Sequence, residues 1–221
     1  MQKFETPTPI ATVLDIPAGS IRFIAGERVD TTVEILPADA AKGRDVKVAE
    51  QTTVAYSDGV LRIEASAKNQ ILGSSGSIEV IVQLPAGSSI DAKAASAEFR
   101  STGRLGDIAF EGAQGSVELD EAASARLTLL AGDVSVGRLG GPAEISTQKG
   151  DIRITEAVGG TVTLRTEQGD LAVGAAHGVS ASLDAGTTYG RIHNALKSAD
   201  GAADLTIHAT TAHGDITARS L

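Results

Sequence analysis

One tripeptide constrains the fold of this chain more than any other feature. Gly-Asp-apolar recurs as Gly106-Asp107-Ile108, Gly132-Asp133-Val134, Gly150-Asp151-Ile152, Gly169-Asp170-Leu171 and Gly214-Asp215-Ile216, with degenerate copies at Gly115-Ser116-Val117 and Gly190-Arg191-Ile192. Anchored on Val117, Val134, Ile152, Leu171, Ile192 and Ile216, the steps are 17, 18, 19, 21 and 24 residues, and Phe99 fits 18 residues upstream. Steps of about 20 residues suit the coils of a β-solenoid and are too short for ankyrin, tetratricopeptide or propeller units. A single coil cannot bury its own apolar face, so the period implies a stack of short parallel strands from about Ile90 to Ala218.

The residues around each Gly-Asp alternate with period two, as strands do. Ile145-Ser146-Thr147 precedes a corner and Ile152-Arg153-Ile154 follows it. The next coils read Leu164-Arg165-Thr166 with Leu171-Ala172-Val173, then Leu183-Asp184-Ala185 with Ile192-His193-Asn194. Stacking these segments predicts one buried file of Ile145, Leu164, Leu183 and Ile207, and a second of Val134, Ile152, Leu171, Ile192 and Ile216. A third apolar position, Leu139 and Val158, precedes Gly140-Gly141 and Gly159-Gly160 at another corner. The glycine of each Gly-Asp allows the positive φ or close approach of a tight corner, and the aspartate can cap the turn through a backbone N–H.

Residues 1–89 are β-rich but irregular. Strands are expected at Ile10–Leu14, Ser20–Ala25, Thr31–Leu36, Thr52–Tyr56, Val60–Ala65 and Ser77–Leu84, with Asp58-Gly59 as a hairpin turn. A short helix is expected within Asp39–Gln51, and a loop at Lys68–Ser77. Asp15-Ile16-Pro17-Ala18-Gly19-Ser20 is echoed by Gln83-Leu84-Pro85-Ala86-Gly87-Ser88, which suggests one entry into the solenoid used twice. The expected fold is all-β, a right-handed parallel β-solenoid of about six to seven coils over residues 90–221, preceded by a β-rich N-terminal capping region over residues 1–89.

Composition narrows the function. With four Phe, two Tyr and no Trp, the core must be largely aliphatic. A net charge of −9 repels phosphate backbones and anionic lipid, so neither a nucleic acid nor an electrostatic membrane partner is expected. The absence of Cys excludes disulfides, thiolate nucleophiles and Cys-ligated metals. Lys3 is followed by Phe4-Glu5-Thr6-Pro7 rather than an apolar run, and no window approaches a membrane-spanning length, so a cytoplasmic location is expected.

Three constellations could carry chemistry. Asp133, Asp151 and Asp170 would stack on successive coils, where carboxylates could share a hard cation. Turn capping is the preferred reading, because calcium-binding solenoids use Gly-Gly-x-Gly-x-Asp, Arg191 interrupts the file, and Lys149 and Arg153 lie near it. His177, His193, His208 and His213 show no ligand spacing, so they read as surface residues. Arg165, Asp184 and His208 read as an outward file of structural charge pairs. Tyr189 is the one candidate for stacking on a sugar, and no nucleophile elbow, P-loop or dinucleotide fingerprint occurs. No catalytic, cofactor-binding or metal-binding residue is assigned.

Several strings together resemble a bacterial family of β-strand-repeat proteins, the "putative adhesins", whose function is unknown. The resemblance rests on Asp15-Ile16-Pro17-Ala18-Gly19, the Ala25-Gly26 step into Val33-Glu34-Ile35, Asp58-Gly59-Val60-Leu61-Arg62-Ile63, Leu84-Pro85-Ala86-Gly87 and the serial Gly-Asp copies. It implies a β-solenoid and a non-enzymatic role, often at or near the cell envelope, and offers no catalytic residues to carry over. The expectation is a non-catalytic interaction or scaffold protein that binds another macromolecule, most simply a protein. The alternatives are a self-assembling structural solenoid and a carbohydrate-active β-helix enzyme. An open C-terminal rim would favour a weak homodimer through residues 205–221, unless the insertion Ala195–Ala203 folds over it as a lid.

Overall fold

The computed structural model describes residues 1–65, 76–197 and 203–221. The chain divides into two compact units, Met1–Gly115 and Ser116–Leu221. Both are built on parallel strand ladders, and the architecture is all-β and solenoid-like. Most of the loop expected at Lys68–Ser77, and most of the lid expected at Ala195–Ala203, lie outside the described residues.

The first unit contains β1 (Gln2–Glu5), β2 (Ala11–Gly26), β3 (Asp30–Pro37), α1 (Gly43–Gln51), β4 (Thr52–Ser57), β5 (Val60–Ala65), β6 (Ile78–Pro85), β7 (Ser89–Thr102) and β8 (Arg104–Gln114). Strand β2 is its spine. One edge of β2 pairs in parallel with β7, from Ala11 opposite Ser89 to Ile24 opposite Thr102. The other edge is shared: Ala11–Asp15 pair with β5 and Gly19–Gly26 with β6. β8 continues the ladder beyond β7 with Ile108 opposite Ile90. The spatial order is therefore β5/β6, β2, β7, β8, with the N-terminal strand inserted ahead of segments that follow it in sequence. Antiparallel strands flank this ladder: β4 on β5, β3 on β6, and β1 on β3.

The local chemistry explains these elements. Asp58 and Gly59 take φ values of 52° and 77°, the pair of left-handed residues that a two-residue hairpin between twisted strands requires. The helix forms where a short helix is expected. Its Val48 is buried, and Asp45 accepts a hydrogen bond from the Ser77 backbone N–H at 3.0 Å. The two echoed strings do not form equivalent corners. Ile16 lies within β2 opposite Ala94, whereas Pro85 closes β6 opposite Gly26. The core is aliphatic with one exception: Phe23, Phe99 and Phe110 form a buried aromatic column with centroid spacings of 5.6 and 5.2 Å.

The second unit contains β9 (Val117–Ala131), β10 (Val134–Leu139), β11 (Ala143–Lys149), β12 (Ile152–Ala157), β13 (Gly160–Gln168), β14 (Leu171–Ala175), β15 (Ala181–Tyr189), β16 (Ile192–Ala195), β17 (Leu205–His213) and β18 (Ile216–Ser220). On one face the ladder runs β9, β10, β12, β14, β18, β16. On the other it runs β9, β11, β13, β17, β15. The last coil in sequence, β17 and β18, therefore sits inside the stack, and the coil before it, β15 and β16, lies at the edge.

This order corrects both sequence-derived files. Val134, Ile152, Leu171, Ile216 and Ile192 do form one file, but Ile216 precedes Ile192. In the other, Ile145 stacks on Leu164, Leu164 on Ala209 and Ala209 on Ala185, while Leu183 stacks on Ile207 opposite Val162. At the third corner, Leu139 is matched by Ala157 and not by Val158, whose N–H instead bonds the Leu139 carbonyl at 2.9 Å. A shift of one residue turns a strand side chain to the opposite face, which is why Ala157 is fully buried and Val158 is not.

Candidate binding edge of the second unit

The recurring corner is a pair of hydrogen-bonded ladders. Asp133 Oδ1 accepts the Asp151 backbone N–H at 2.9 Å, Asp151 Oδ1 that of Asp170 at 2.8 Å, and Asp170 Oδ1 that of Asp215 at 2.7 Å. The ladder ends at Arg191, whose backbone N–H donates to Asp215 Oδ1 at 2.8 Å. Each carboxylate thus serves a donor that a strand corner leaves unpaired. A second ladder runs just inside it. Thr166 Oγ1 donates to the Gly150 carbonyl at 3.1 Å, Thr211 to Gly169 at 3.0 Å and Thr187 to Gly214 at 3.0 Å. The repeat unit is therefore Thr-x-x-Gly-Asp, as in Thr166–Asp170 and Thr211–Asp215, and Thr147–Asp151 keeps the spacing with the Thr147 hydroxyl on the Lys149 carbonyl at 3.2 Å. Sequence reading found its Gly-Asp half and missed the threonine, although the spacing was there to find.

Arg191 does not interrupt this file but terminates it. Its guanidinium reaches back to Asp215 Oδ2 at 3.2 Å. The Arg191 backbone N–H, more than this guanidinium, holds the Asp215 carboxyl below its ordinary range. A carboxyl depressed on folding contributes stability above its unfolded pKa and loses it as pH falls through the folded value. In Arg191→Ala the backbone donor remains, so the Asp215 titration followed by NMR is expected to move up only part of the way. A return to the ordinary carboxylate value would show that the guanidinium carries the shift.

Beyond this last corner the edge strands β15 and β16 pair, among the described residues, with a neighbouring strand on one side only, and on the outer side the Ala181 N–H is taken by the Lys197 carbonyl at 3.2 Å. The change in exposure marks the rim: Ile216 is 2 % exposed, and the next residue of its file, Ile192, is 46 % exposed. Tyr189 stands 68 % exposed beside it, stacked on the His213 ring at a centroid distance of 4.9 Å. Unpaired backbone, a half-exposed Ile and a flat aromatic pair thus share one edge.

The remaining sequence candidates are dispersed. His208 Nδ1 lies 3.3 Å from Asp184 Oδ2, a cross-strand pair on β17 and β15. Arg165 is not in that file, since it stands opposite Ser146 and Thr210 in the neighbouring one. His193 lies exposed on β16 opposite Thr217, and His177 is exposed beyond β14. Lys149 stands in line with Ala131 and Gln168. Among the described residues, no group of three His, Cys, Asp or Glu side chains gathers closely enough to hold a metal ion. No described helix is long and apolar enough to cross a membrane. Residues 205–221, expected to form the open rim, are interior strands, and the rim belongs to residues 181–197.

A family model described as Toastrack DUF4097 matches residues 13–220, nearly the whole chain. The protein belongs to the Toastrack DUF4097 family. No curated protein matches it. Among solved structures, the Toastrack chain is similar to one described as a putative adhesin from Parabacteroides distasonis, with 14% identity, a TM-score of 0.50, and coverage of 98% of this chain and 95% of that one. A putative adhesin from Bacteroides fragilis is 12% identical with a TM-score of 0.48 and the same coverage. A putative lipid binding protein from Parabacteroides distasonis is 10% identical at a TM-score of 0.46, again covering 98% and 95%. At these identities the likeness is one of fold.

Proposed function

We propose that this Toastrack protein is a non-catalytic binding protein that takes up a strand of a partner protein along β15 and β16. In this reading the fold is a right-handed parallel solenoid of about six to seven coils, with residues 1–89 as its cap and 90–221 as its repeat. The observation that carries the function is the one-sided pairing of β15 and β16, bordered by Tyr189, His213 and Ile192. An exposed strand edge offers a row of backbone donors and acceptors to an extended segment, and flanking apolar side chains add selectivity. Adhesion, the property named for the similar putative adhesin from Parabacteroides distasonis, is consistent with such a surface.

A second reading is favoured by the same edge. Two copies could pair it about a two-fold axis in a weak homodimer, located at residues 181–197 and not at 205–221. The test is amide hydrogen exchange of the protein alone and of the protein captured with its partner from native cells. The expected result is fast exchange over 183–195 in the free protein and protection there in the complex, with capture lost in a Tyr189→Ala, Ile192→Lys double variant. Protection confined to other strands would overturn the assignment. Mass that grows with concentration in light scattering, and that the same double variant abolishes, would select the homodimer.

A further inference from the structure

We infer that the outer face of β12, β14 and β18 carries a binding site for a phosphoryl-type oxyanion, held between Arg153 and Arg219. The site is separate from the edge of β15 and β16 and does not depend on the function proposed for it. A cavity of about 230 Å³ opens there, with Arg153 and Thr155 on one wall, Thr217 and Arg219 on the other, and Ala172 and Gly174 as its floor. The register explains the shape. Arg153 and Thr217 stand on opposite sides of Ala172, and Gly174 stands directly beside Arg219, so the middle strand presents its two smallest side chains between two strands of long ones.

The floor is fixed by packing. A Cβ on Gly174 would lie 2.1 Å from the Thr155 carbonyl oxygen, where the pairing of β12 and β14 shifts register between Ile154 and Ala157. The Arg153 and Arg219 backbones are two strands and two residues apart, about 12 Å on the spacings of a regular sheet. Two guanidinium groups on stems of that separation can converge on one group above the floor.

The electrostatics favour an anion. Acidic residues outnumber basic ones, 28 Asp and Glu against 19 Lys and Arg, yet among the described residues neither Arg153 nor Arg219 makes an ion pair. The nearby carboxylates have other partners. Glu156 pairs with Arg138, and the Asp151, Asp170 and Asp215 carboxylates accept backbone N–H groups at the corner. His193, opposite Thr217 on β16, lies on the same outward file. A carboxylate has two oxygens and satisfies one guanidinium fork. A phosphate monoester or inorganic phosphate has three or more, enough for both forks and a threonine hydroxyl, and charge-assisted bonds of this kind are the strong ones. The shared chemistry of the ligand is therefore a dianionic phosphoryl group, whether soluble or carried on a lipid headgroup.

The test uses the full chain with inorganic phosphate by titration calorimetry, and in parallel with phosphatidylcholine vesicles made with and without phosphatidic acid. The expected result is saturable phosphate binding that weakens at least about ten-fold in Arg153→Ala and in Arg219→Ala, is partly retained in Arg153→Lys, and is unchanged in Arg126→Ala on β9. Both arginines are exposed, so melting temperatures should match the wild type and a loss of binding would not report unfolding. Co-sedimentation with phosphatidic acid vesicles that the same variants abolish would identify a lipid headgroup as the source. Phosphate binding without co-sedimentation would identify a soluble phosphate. Absence of binding in both arms, or binding that survives the double Arg153→Ala, Arg219→Ala variant, would overturn the site.

Discussion

Replacing Gly169 with Ala is expected to remove a large fraction of the stability of the second unit. Gly169 has a φ of +154°, and a Cβ there would lie 2.0 Å from the Gly150 carbonyl oxygen and 2.5 Å from its carbon. The obstruction is backbone, so no rotamer can relieve it. Moving it would stretch the 2.9 Å bond from the Gly150 N–H to the Gln168 carbonyl and the Thr166 bond to the Gly150 carbonyl. An L-residue in that conformation costs roughly 1–3 kcal/mol and overpacking of the corner another 1–3 kcal/mol. Against a typical total of about 5–15 kcal/mol, the sum is a large fraction. The same clash recurs at Gly150 and Gly214, so the effect belongs to the corner and not to one coil. Gly186 supplies the control. Nothing lies within 4 Å of a Cβ placed on it, and Gly186→Ala should shift stability by less than about 1 kcal/mol. Urea denaturation followed by circular dichroism measures both. Equal midpoints for Gly169→Ala and Gly186→Ala would mean that the corner does not require glycine.

Ile152→Asp is expected to unfold the repeat outright. Ile152 is fully buried, stacked between Val134 and Leu171 on the neighbouring strands. Its side chain is worth roughly 1.5–3 kcal/mol of burial, and a carboxylate in its place has no cation to meet. An uncompensated buried charge typically adds several kcal/mol. Leu164→Asp, equally buried on the other face, should behave alike. Arg153→Ala and Thr163→Ala, on the same two strands but directed outward, should stay within about 0.5 kcal/mol of the wild type. If the inward and outward variants melted together, the side-chain directions assigned to β12 and β13 would be wrong.

Much of the fold was legible in the sequence because its signals are local. The period-two alternation in Ile152-Arg153-Ile154 and Leu164-Arg165-Thr166 fixes which side chains face inward, and the burial of Ile152, Ile154, Leu164 and Thr166 follows it. Asp58-Gly59 specifies its hairpin through two backbone dihedrals, without help from distant residues. The candidate edge was less legible. Tyr189 stood out as an exposed aromatic, but His213, its stacking partner, is 24 residues away in sequence and meets it only through the pairing of β15 with β17. Arg153 and Arg219 share a groove for a similar reason, since β14 lies between their strands.

What the sequence by itself determined is the coil: its corners, its inward residues and the glycines that let neighbouring backbones approach within van der Waals distance. What only the tertiary structure decided is the order in which coils stack. Successive Gly-Asp copies are nearly interchangeable, so nothing local compels the final coil to lie beyond the one before it. Burial decides between the two arrangements. β17 and β18 present Leu205, Ile207, Ala209, Thr211, Ile216 and Ala218 inward and repeat the full Thr-x-x-Gly-Asp corner, which suits a position covered on both sides. β15 carries Gly186 and is joined to β16 by Gly190-Arg191, where the aspartate that would accept the next backbone N–H is missing and the arginine folds back onto Asp215. The coil that lacks this acceptor lies at the edge, where, among the described residues, no further corner N–H has to be met.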